Sequence, residues 1–179
     1  MNTINLLGIY GAGNDAAFGG ALRGLVGAVQ ADAKSMGYEK YVYVPRIMDY
    51  LEATTIIRLV KQWKDPTILL SHSCGCLTAT MAANEDTMSP FPYVACIAPS
   101  MFCYPKPVAP NVARIDQFTS NTFDVFNLGA RQLVTRMKSN SRTQVNVLKT
   151  GLPHLGAPAS SLVHSTVIQQ VRKAVGVSS

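Results

Sequence analysis

The chain has 179 residues, which suits one domain, since single cores run to about 100–200 residues. Apolar residues make up 47% of it and charged residues 15%, whereas intrinsic disorder needs few apolar residues and a high net charge, so disorder is excluded. The net charge of +6 invites a polyanion-binding reading. The densest basic sets, Lys61–Lys64, Arg131–Arg142 and Arg172–Lys173, contain no run of five, and a solvated surface accounts for them. No nucleic-acid partner is expected.

The first predicted strand is Asn5–Tyr10, followed by Gly11-Ala12-Gly13-Asn14 and a predicted helix over Ala16–Met36. A phosphate cradle at that turn fails on its spacing. G-x-G-x-x-G would need glycine where Ala16 stands, and no G-K-[ST] follows. The other use of such a turn is to leave backbone N–H groups pointing into a site. The second strand, Tyr41–Val44, is expected to stop at Pro45, leaving Asp49 beyond reach of a ribose. A helix over Leu51–Trp63 follows, with Leu51, Ile56, Leu59, Val60 and Trp63 on one apolar face.

The third strand, Thr67–Ser71, leads into His72-Ser73-Cys74-Gly75 and a helix of small residues over Cys74–Asn84. A serine in a sharp strand-to-helix turn points its hydroxyl out of the top of the sheet, at a helix N-terminus that favours developing negative charge. Ser73 is therefore the candidate nucleophile, and a helix cap is its plainer use. His72, adjacent in sequence, is expected to leave the strand on the opposite side from Ser73 and to be a packed strand-end residue. The fourth strand, Tyr93–Ala98, precedes a proline-rich stretch, Pro99–Pro110, that reads as a surface loop, and Ser100–Asn111, with Met101, Phe102 and Tyr104, is the largest candidate cover.

The fifth strand, Val112–Thr119, contains Asp116, and Asp124 follows it at the head of a predicted helix, Asp124–Lys138. Groups of a site come from loops beyond strand ends, which favours Asp124 over Asp116 as an acidic partner. After the sixth strand, Gln144–Leu148, comes Gly151-Leu152-Pro153-His154, with His154 in a loop stiffened by glycine and proline. The last helix, Ser160–Val175, carries Leu162, Val163, Val167, Val171 and Val175 at helical spacing.

Strand and helix alternate throughout. The expected fold class is therefore α/β, a three-layer, doubly wound, mostly parallel sheet of about six strands, in a single domain spanning residues 1–179. Cys74, Cys76, Cys96 and Cys103 lack paired C-x-x-C spacing, which removes a zinc site, and they read as small buried residues rather than a disulfide framework. The first residues, Met1 to Asn5, carry no basic segment ahead of the apolar stretch. A cytoplasmic protein without signal peptide or integral membrane association is expected.

On Ile68–Gly75, Thr119–Val125 and Gly151–His154, taken in the order Ser73, Asp124, His154, the sequence resembles the α/β-hydrolase superfamily, and in size the small lidless bacterial lipases. The turn around Ser73 reads S-x-S-x-G, with Ser71 where the family has glycine, and Tyr10-Gly11 stands where the family has His-Gly. The resemblance implies a minimal hydrolase fold without a cap domain and a serine esterase working through an acyl-enzyme. Ser73 would attack, His154 would serve as base and then acid, and Asp124 would orient it. The backbone N–H groups of Ala12 and Cys74 would hold the oxyanion. Phe18 and Leu155 would line the acyl pocket, the substrate being a small-molecule or lipid-like ester. Neither cofactor nor metal is needed. The alternatives are a non-catalytic binding protein on the same scaffold, or a thioesterase or amidase using the same triad.

Overall fold

A computed structural model describes residues 2–12, 20–35, 41–85, 90–100, 111–120 and 142–176. Six strands, β1 (Asn2–Tyr10), β2 (Tyr41–Asp49), β3 (Thr67–His72), β4 (Tyr93–Ile97), β5 (Arg114–Thr119) and β6 (Gln144–Lys149), form one sheet in the order β2-β1-β3-β4-β5-β6. Every pairing is parallel. Parallel strands need crossovers, and here α1 (Ala21–Ser35), α2 (Ala53–Gln62), α3 (Gly75–Glu85) and α4 (Ser161–Ala174) flank the sheet.

Neighbouring residues of a strand face opposite sides, and in the central strands both sides are buried. Leu6 and Leu70 face α1 and α4, joining Leu22, Leu25, Val29, Val163 and Val167 in one core. Leu7 and Leu69 face α2 and α3, joining Ile56, Val60, Ala79 and Ala83 in the other. Each fully buried Leu or Val contributes about 1.5–3 kcal/mol, so the two apolar layers dominate what holds the sheet. The expected three-layer, doubly wound arrangement is what the chain adopts, and all six predicted strands form.

Four details differ from the sequence reading. β2 runs on through Pro45 to Asp49, paired with β1 from Asn2–Tyr41 to Tyr10–Asp49. Proline lacks an N–H, and an edge strand tolerates that where a central one does not. Asp49 thus ends the strand instead of lying beyond it, and its side chain caps the following turn, accepting from Leu51 N at 2.9 Å while Glu52 accepts from Asp49 N. Leu51 belongs to that 3-10 turn and is exposed, so the apolar face of α2 rests on buried Ile56 and Val60, with half-buried Trp63 packed against the same core. On α4 the buried stripe is Val163, Val167 and Val171, spaced by four, while Leu162 lies off it.

Candidate active site

β1 and β3 are adjacent, but the chain leaves β1 toward β2 on one side and leaves β3 toward β4 on the other. A crevice opens outside the carboxyl ends of strands at such a reversal. The residues just past β1 are Gly11 and Ala12, and those just past β3 are Ser73 and Cys74.

Ser73 carries φ +56°, a left-handed conformation that non-glycine residues adopt at a cost of about 1–3 kcal/mol unless surroundings impose it. They do. The Ser73 N–H donates to Ile97 O at 3.0 Å, and the Ser73 and Cys74 carbonyls accept the first turn of α3 from Cys76 and Leu77, each at 3.1 Å. Small neighbours make the turn sterically possible. A Cβ on Gly75 would lie 2.2 Å from Ile9 O, and one on Gly11 would lie 2.5 Å from Ser73 Cβ and 2.8 Å from Cys74 N. The backbone leaving β1 therefore passes directly over the amide that follows Ser73. The sequence places Gly11 in a turn that leaves backbone N–H groups pointing into a site; its position one residue past a strand at the sheet's reversal point is the signal for the close approach as well. Ser71, in place of a glycine, is wholly buried and donates to Ala95 O at 2.8 Å, so its hydroxyl is absorbed by β4 without disturbing the turn.

His154 comes from the far side. Gly151, with φ +72°, and Pro153 turn the chain leaving β6, and His154 begins a 3-10 segment, His154–Ala159. Its side chain is buried, and Nε2 lies 2.9 Å from Ser73 Oγ across 81 residues of sequence. Ser73 and His154 thus meet in hydrogen-bonding contact. His72 is drawn to the same place, contrary to the expectation that it points away. Its Nε2–H donates to His154 O at 3.0 Å, and the two rings lie 5.1 Å apart, tilted by 43°. Side-chain alternation holds only while backbone stays extended, and the left-handed residue at Ser73 breaks it.

Asp116 is in a different place. It is fully buried within β5, where its carboxylate accepts from Tyr93 Oη at 3.1 Å, Arg114 Nε at 2.9 Å and Asn146 Nδ2 at 2.9 Å. Burial, reinforced by this carboxylate, pushes the Tyr93 phenol well above its ordinary range. Asp124 and Phe18 lie outside the described residues, as does most of the loop Ser100–Asn111. Ala12 is exposed beside buried Gly11, and Leu155 is exposed next to His154.

The cysteines divide. Cys76 and Cys96 are free and buried, and burial with the adjacent Cys96 pushes the Cys76 thiol up. Cys74 is disulfide-bonded, a correction to its reading as a small buried thiol. The spacing of the cysteines gives no hint of this bond. Disulfides persist in oxidising surroundings. Among the described residues no group of three or more His, Cys, Asp or Glu could hold a metal ion, and no helix is long and apolar enough to cross a membrane.

No family model matches the chain, and no curated protein matches it either. Solved structures do. A "putative hydrolase of the alpha/beta superfamily" from Xanthomonas campestris pv. campestris superposes with a TM-score of 0.59 at 13% identity, over 97% of this chain and 99% of that one. An acetyl ester-xyloside bifunctional hydrolase from Caldicellulosiruptor lactoaceticus gives 0.61 at 10% identity, over 99% and 85%. The pyrethroid hydrolase PytH gives 0.54 at 12% identity, over 98% of each chain. The chain has the α/β-hydrolase fold. A fold hosts many activities, so function must be argued from the residues at the site.

Proposed function

We propose that the chain is a serine hydrolase that cleaves carboxylic esters through an acyl-enzyme. The observation that carries this reading is the 2.9 Å contact between Ser73 Oγ and His154 Nε2 at a strained strand-to-helix turn. In the neutral tautomer with its proton on Nδ1, His154 accepts the Ser73 hydroxyl proton as Oγ bonds to the acyl carbon. The carbonyl π pair moves onto oxygen. The resulting imidazolium then returns the proton to the alcohol oxygen as the C–O bond breaks, leaving acyl-Ser73, which water hydrolyses by the same two steps.

The oxyanion needs donors held in advance, and each is worth about 2.7–4 kcal/mol. The close passage of Gly11 over Cys74 N supports the N–H groups of Ala12 and Cys74 in this role, with the N-terminus of α3 adding its dipole. Asp124 completes the triad in this reading. The chains leaving β5 and β6 start side by side, since Thr150 N donates to Thr119 O at 2.9 Å, five residues before Asp124 and four before His154. The exposed apolar side chains Leu152 and Leu155 flank His154 and suit a small or lipid-like ester whose acyl chain reaches the site from the surface.

The test is turnover of p-nitrophenyl acetate and butyrate by the native protein and by Ser73→Ala. Native turnover that falls on the order of 10⁶-fold in a folded Ser73→Ala variant supports the reading. No native turnover, or equal turnover by the variant, refutes it.

A further inference from the structure

We propose that His72 is a positioning residue for His154, so that consecutive residues of one strand end, His72 and Ser73, fix both ends of the reacting pair. The inference rests on the esterase reading above and adds a residue to it.

Two observations carry it. The first is the two-point attachment of His154: its ring meets Ser73 Oγ at 2.9 Å, and its carbonyl accepts from His72 Nε2–H at 3.0 Å. A carbonyl can only accept, so His72 keeps its proton on Nε2 and cannot offer that nitrogen as a base. The second is the contrast in anchorage. His154 is entered from an exposed run, Gly151 to Pro153, and only beyond it does the 3-10 segment bury Ala157 and Pro158. His72, by contrast, closes β3, a central strand buried along its whole length and paired with β4 at Ile97. The bond therefore ties the end of this exposed run to a central strand that is buried along its whole length. The tilted packing of the two rings, 5.1 Å apart, limits rotation of the His154 imidazole about its own axis. Misplacing a reacting group by about 1 Å can cost about 10²-fold in rate, and this clamp acts against a displacement of that kind.

His72→Gln and His72→Asn separate positioning from mere occupancy. Both are polar and similar in size, but Gln places an amide N–H where Nε2 stood, whereas the shorter Asn cannot reach the His154 carbonyl. Melting temperature is measured beside kcat and KM for p-nitrophenyl butyrate. The expected result is a loss in kcat of about 10- to 100-fold for His72→Asn, with KM nearly unchanged and kcat largely restored in His72→Gln at matched melting temperature. His72→Phe, which keeps a ring and loses the donor, should resemble His72→Asn. Equal kcat for the Gln and Asn variants overturns the positioning role while native turnover leaves the esterase reading intact. A native protein without turnover overturns both.

Discussion

Two buried polar clusters sit in this sheet, and their difference separates chemistry from architecture. The cluster on β4, β5 and β6 is closed. Asp116 is fully buried and accepts three hydrogen bonds from Tyr93, Arg114 and Asn146, in an unstrained strand. The cluster at the ends of β1 and β3 is built on strain and close approach. A non-glycine residue stands at φ +56°, a glycine fits where no Cβ could, and the hydroxyl–imidazole contact joins two loops. Satisfied buried networks specify a fold, while strained backbone held by its surroundings collects at sites that do work. Burial alone distinguishes neither, since Ser73, His154 and Asp116 are all buried.

Substitution should split the two clusters cleanly. Ser73→Ala has the largest expected effect, a rate loss on the order of 10⁶-fold at nearly unchanged melting temperature. Asp116→Ala should do the reverse. It leaves the buried Tyr93 hydroxyl without its acceptor and half-buried Arg114 without its carboxylate, at about 1–3 kcal/mol for each buried donor left unpaired, read by urea unfolding, while the folded fraction keeps its turnover. If Asp116→Ala instead abolished turnover without loss of stability, the acid would belong to the site and the division would fail. Gly11→Ala comes next. Its Cβ would drive the β1 loop off Ser73 and Cys74, and kcat should fall about 10²–10³-fold, as on loss of an oxyanion donor. Tyr93→Phe is smallest, at about 1–2 kcal/mol of stability, because Asp116 loses one of its three donors. It also carries a pH signature. With the folded-state phenol raised above its ordinary value, its contribution is fully present below about pH 10 and is lost as pH rises further. Alkaline unfolding profiles of native protein and Tyr93→Phe should therefore converge above that pH.

The strands were legible because parallel strands buried on both faces leave continuous apolar runs, as in Ile68-Leu69-Leu70. The end of β2 was not. Whether proline stops a strand depends on whether the strand lies at an edge, which is a property of the whole sheet. Ser73 and His154 could be singled out because one directly follows β3 and the other lies in the loop past β6, and strand order then decides that they meet. The inward turn of His72 was hidden because it depends on one backbone angle at the next residue. Leu162 was grouped with the valines of α4 at helical spacing, but its phase, one residue before Val163, sets it off the buried stripe.

The central claim is that Ser73 is a hydroxyl made reactive by His154 beside preformed oxyanion donors. Reaction with a fluorophosphonate probe, followed by peptide mapping in the mass spectrometer, interrogates all three elements at once. The account predicts a single adduct on Ser73 in the native protein and none in His154→Ala under the same exposure. An adduct on another serine, or undiminished labelling of Ser73 without the imidazole, contradicts it.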